Sequence, residues 1–124
     1  MTATQQHEMM AWLGPAAGDL TAEQVDRLVR ESDDIAAYWP DLDDADLREA
    51  ALSAAVQHML GDITPEQVAA ELGAARLAAA RAFAAAQQVA AMVVRDHPGQ
   101  RIKRETARRC GIDRMTLLKR LGER

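Results

Sequence analysis

The stretch RIKRETARRCGIDRMTLLKRLG, residues 101–122, decides how this chain folds at its C-terminal end. Gly111 divides it, because glycine takes up the positive φ that ends a helix and turns the chain without steric cost. Asp113, two residues on, is of the type that caps a helix N-terminus. Leu117 and Leu121 stand four apart and share one face of a helix. The expectation is two short helices joined by a tight turn at Gly111.

Charge collects in the same place. Residues 98–124 hold nine basic side chains against three acidic ones, a balance of +6, while the preceding 97 residues hold six against 16, a balance of −10. The whole-chain charge of −4 and pI near 5.3 conceal this division. Segregation of this kind is expected where one end of a molecule meets a polyanion and the rest does not. The plainer alternative is an ordinary charged tail.

Upstream lies a helical pattern from Pro65 to about Asp96, stopped by His97-Pro98-Gly99. Thr64-Pro65-Glu66-Gln67 supplies an N-cap threonine, proline at the first helical position and a capping-box glutamine. Such a rod would be roughly 48 Å long. Gly73 inside it costs on the order of 1 kcal/mol against alanine, and a break there is open. Val68, Ala75, Ala82 and Val89 form one series seven residues apart; Leu72, Ala79, Ala86 and Val93 form the other. These are the core positions of a heptad. They fit either self-association, with Val68, Leu72, Ala75, Ala79, Ala82 and Ala86 as the interface of a homodimer, or packing on the chain's own earlier helices.

The acidic body is also read as helical. A short helix is expected near residues 4–13. A second, opened by the capping box Thr21-Ala22-Glu23-Gln24, runs to about Tyr38 with Val25, Leu28, Val29, Ile35 and Ala36 apolar, and Trp39-Pro40 ends it. A third runs from about Asp44 to Leu60, with Leu47, Ala51, Leu52, Ala55, Val56 and Met59 on one face and Gly61 beyond its end. Asp41, Asp43, Asp44 and Asp46 precede it. Their spacing lacks the glycine and terminal glutamate of a calcium loop, so they are read as capping and dipole-favouring charges.

Length and composition bound the rest. The chain has 124 residues, 48% apolar but only 3% aromatic, with much of the apolar share alanine, a composition suited to helices. No charge-free run of 18 residues occurs, so no membrane span or membrane partner is expected. The N-terminus has neither the basic nor the apolar region of a signal peptide. One cysteine, Cys110, allows no intrachain disulfide and fits a reducing cytoplasm. His7, His58 and His97 are scattered and no catalytic motif appears, so neither an enzyme, a metal nor a cofactor is expected.

Residues 101–122 resemble the helix-turn-helix of bacterial regulators, closest to the Fis-like and NtrC-type terminal heads and to heads ending in GVxRxTLxRxLG. The resemblance implies an all-α fold: an acidic helical body, residues 1–81, and a trihelical DNA-binding head, residues 82–124, that share the long helix 65–96. It places Ala107 where two helices cross, Ile112 as a core plug, Cys110 on a buried face and residues 83–94 as the third helix. It implies double-stranded DNA as partner, with helix 113–121 in the major groove. Arg114 and Met115 would then touch bases, Arg114 gripping a guanine and Met115 making apolar contacts. Lys103, Arg104, Arg108, Arg109, Thr116, Lys119 and Arg120 would touch the backbone. Leu118 falls toward the DNA-facing flank, where such heads often carry an aromatic or polar residue. The function expected is sequence-specific DNA binding by a nucleoid-associated regulator or a plasmid or phage maintenance factor. The alternative is an adaptor whose basic head binds an acidic partner or RNA polymerase.

Overall fold

The computed structural model describes residues 2–123, with the backbone alone at Gln100; Arg124, counted in the basic tail, lies outside the described residues. Their regular structure is all helical: α1 (Ala3–Leu13), α2 (Ala22–Tyr38), α3 (Ala45–Met59), α4 (Pro65–Asp96), α5 (Gln100–Cys110) and α6 (Arg114–Arg120), with 3-10 turns at Gly14–Asp19 and Leu42–Asp44. The chain divides into two compact units, Met1–Val68 and Ala69–Arg124, and the boundary lies within α4.

The helix starts follow from one device used three times. Thr21 Oγ1 accepts from the Gln24 amide at 3.2 Å while Gln24 Oε1 accepts from the Thr21 amide at 2.8 Å. Thr64 and Gln67 repeat the exchange at 3.2 and 2.9 Å. So do Thr2 and Gln5, at 3.1 and 2.9 Å, a box not expected from the sequence. Each box satisfies amides that the first helical turn leaves without intrahelical partners.

In the first unit α2 packs on both α1 and α3. The core is Met9, Leu13, Val25, Leu28, Val29 and Val56, with Leu52, Ala55 and Met59 against it. Leu28 is wholly buried. Leu47, expected on the inner face of α3, is 50% exposed, because apolar burial in that helix begins only at Ala51. Of the aspartates expected at this helix start, Asp46 lies in the first turn of α3, but the capping is incomplete. Asp44 occupies the N-cap position without a side-chain cap, its backbone being set by the 3-10 turn. Arg48 holds this corner instead, its Nη1 donating to the carbonyls of Trp39 at 2.7 Å and Asp41 at 2.6 Å.

Helix α4 continues through Gly73 without a break, and every residue from 65 to 85 is exposed. It contains an 18-residue window of mean hydropathy 1.4, so by length and composition it is long and apolar enough to cross a membrane. The run is not charge-free: alanine raises its hydropathy even where an arginine interrupts it. The last third of α4 is committed elsewhere. Ala90 and Val94 join Ala107, Ile112 and Leu117 in the second unit's core, with Ala86, Ile102, Cys110 and Leu121 packed against it.

Candidate nucleic-acid interface

Gly111 shapes this unit. Its φ of 70° is left-handed, its amide donates to the Arg108 carbonyl at 3.2 Å, and the Ile112 amide donates to the Ala107 carbonyl at 3.0 Å. This pair of bonds is the Schellman closure, which satisfies carbonyls at the end of α5 and reverses the chain. Asp113 then caps α6, its Oδ1 accepting from the Met115 amide at 2.9 Å. A residue with a Cβ at position 111 would find open space but a strained backbone.

The turn sorts the side chains. Ala107, Ile112 and Leu117 are buried, and Cys110 and Leu121 are half-buried against them. Arg114, Lys119 and Arg120 are exposed, Met115 is 51% exposed and Thr116 is half-buried. On α5, Arg101, Arg104, Arg108 and Arg109 are exposed, and Lys103 is half-buried. Leu118 is more buried than a residue on an exposed flank would be. It is only 7% exposed, yet it stands outside the core around Leu117 and lines the basic concavity between α5 and α6 instead.

An open concavity of about 740 Å³ runs between α5 and α6. Arg101, Lys103, Arg104, Glu105, Arg114 and Glu123 line it, and Leu118 contributes its apolar side. Arg101 was not singled out in the sequence. Its signal was the spacing 101, 104, 108, which sets three arginines along one face of α5.

The cations are not equivalent. Lys103 Nζ is ion-paired with Glu123 at 2.6 Å, and Arg108 with Glu105 at 2.6 Å. The Arg108 hydrogen bond, then its charge, lowers the Glu105 pKa, and the same pair raises that of Arg108. Arg120 donates to Gln88 Oε1 on α4. Arg101, Arg104, Arg109, Arg114 and Lys119 have no carboxylate within ion-pair distance among the described residues. Such unpaired guanidinium groups present donors to water, in a geometry that matches phosphate and base edges.

Thr106 stands apart. It is 1% exposed on the inner face of α5, and its hydroxyl has no hydrogen-bond partner among the described residues.

Comparison with protein-family models, with curated proteins and with solved structures finds no match to this chain.

Proposed function

We propose that the second unit is a helix-turn-helix head, that α6 enters the major groove of double-stranded DNA, and that the protein is a sequence-specific DNA-binding regulator or maintenance factor. One observation carries the reading. The chain turns sharply at Gly111, and the helix beyond it turns Leu117 and Leu121 into the core while Arg114, Met115 and Lys119 face solvent. A groove-reading helix needs an apolar back and a donor-bearing front. In this reading the end of α4 is the third helix of the head. Arg114 and Met115 read bases, and Arg104, Arg109, Thr116 and Lys119 hold phosphates, together with Arg101. Lys103, Arg108 and Arg120 already have partners within the chain, so each exchanges one contact for another when it meets a phosphate.

Selection of bound duplexes from a random pool tests this, followed by titration of the winning site at several salt concentrations. Log affinity should fall linearly with log salt, by about 0.9 per phosphate neutralised. Arg114→Ala should cost about 1–3 kcal/mol on the selected site and relax one base position. A pool that yields no preferred sequence would refute the reading and favour an adaptor whose basic head meets an acidic protein surface.

A further inference from the structure

The exposed part of α4 has no use in the head. From residue 65 to 85 the helix makes about six turns, and Val68, Leu72, Leu77 and Phe83 are each about half exposed along it. Val68, Ala75 and Ala82 form one series at seven-residue spacing, and Leu72 and Ala79 the other. Together they make a narrow seam of the kind that a second helix covers. Ala86, which continues the pattern, is packed against the second unit's own core. The seam open to a partner is therefore 68–82.

The charges beside the seam choose its occupant. Glu71 lies immediately before the core position Leu72, and Arg76 immediately after the core position Ala75. Both are exposed, and neither has an ion-pair partner among the described residues. In a parallel, in-register pair of helices these two flanking positions, five residues apart, meet across the seam. Glu71 of one copy then faces Arg76 of the other, and twofold symmetry makes the contact twice. In an antiparallel pair like flanks come together, so Glu71 and Arg76 fall on opposite sides. A lipid bilayer fits less well: Arg76 and Arg81 interrupt the segment, and Ala90, Ala91 and Val94 at its end are buried within the chain.

We infer that α4 pairs with α4 of a second copy of this chain, parallel and in register, through the 68–82 seam with Glu71–Arg76 contacts on both sides. The inference goes beyond the DNA-binding reading and does not depend on it.

Sedimentation equilibrium of the full chain without DNA tests it. The mass should rise with concentration from 13.5 kDa to twice that value. Glu71→Arg or Arg76→Glu alone should weaken association about tenfold, since attraction becomes repulsion on both sides. The two reversals in one chain should restore it. In a Cys110→Ala background, Leu72→Cys should cross-link to itself on oxidation. Four results would each overturn the inference: a 13.5 kDa species at every concentration; no rescue by the double reversal; cross-linking of Leu72→Cys only in mixtures with Ala75→Cys, the antiparallel signature; or a monomer that floats with phosphatidylglycerol-containing vesicles. Failure to bind DNA would leave all these measurements intact.

Discussion

The two units solve the same problem with different materials. The first builds its core from Met9, Leu13, Val25, Leu28, Val29 and Val56, side chains with real apolar area. The second relies on Ala90, Val94, Ala107, Ile112 and Leu117, two of them alanine, so each contact buries less apolar area. Their surfaces differ as sharply. Residues 1–68 carry three basic against 14 acidic side chains, and residues 69–124 carry 12 against five, giving −11 and +7. In the second unit the turn between α5 and α6 is fixed by Gly111 rather than by bulky packing. The difference shows that charge sign and core size were set separately in the two units.

Core truncation tests that separation most strongly. Leu28→Ala and Leu117→Ala, each at a wholly buried site, should cost about 2–5 kcal/mol. Amide exchange should show each loss confined to the truncated unit, and Leu28→Ala should leave DNA affinity at the parent value. Loss of protection in both units from either substitution would mean that they unfold as one. Next in size, Gly111→Ala places a Cβ on a left-handed residue and should cost about 1–2 kcal/mol in chemical denaturation. The same change at Gly73, within an exposed helix, should stabilise by about 1 kcal/mol. Thr106→Val should raise the second unit's stability by about 1 kcal/mol, since it removes a buried hydroxyl that has no partner; a loss would reveal a hydrogen bond to that oxygen.

The smallest effect is expected at Glu105. Arg108 lowers its pKa in the folded state, so any stabilisation is present above the unfolded pKa and lost as pH falls through the folded one. The group is exposed, and water screens the pair. Glu105→Gln should therefore leave the melting temperature at pH 7 unchanged and flatten only the acid limb of a stability profile. On DNA the same variant frees Arg108, and the salt slope should steepen by up to about 0.9.

Much of this architecture was legible in the sequence because its signals are local. Thr21-x-x-Gln24 and Thr64-x-x-Gln67 mark the starts of α2 and α4, and Gly111 with Asp113 marks the turn, since each device uses atoms within four residues of one another. The identical Thr2-x-x-Gln5 box went unread because no strong apolar period follows it. Leu118 was only half legible: the spacing of Leu117 and Leu121 sets it off the core line, but its burial beside the basic concavity depends on the side chains around it. Leu47 errs the other way: its period is right, but burial depends on where the neighbouring helix passes. Nor could spacing show that Lys103, Arg108 and Arg120 are already engaged, because those partners are set by side-chain reach in three dimensions.

Leu118 carries a further consequence. An apolar floor beneath Arg101, Arg104 and Arg114 keeps high-dielectric water from one side of these cations, and a low-dielectric wall under like charges focuses field lines outward. An approaching polyanion would feel this potential before touching the surface, so the encounter would be hastened at low ionic strength and lose that advantage as salt rises.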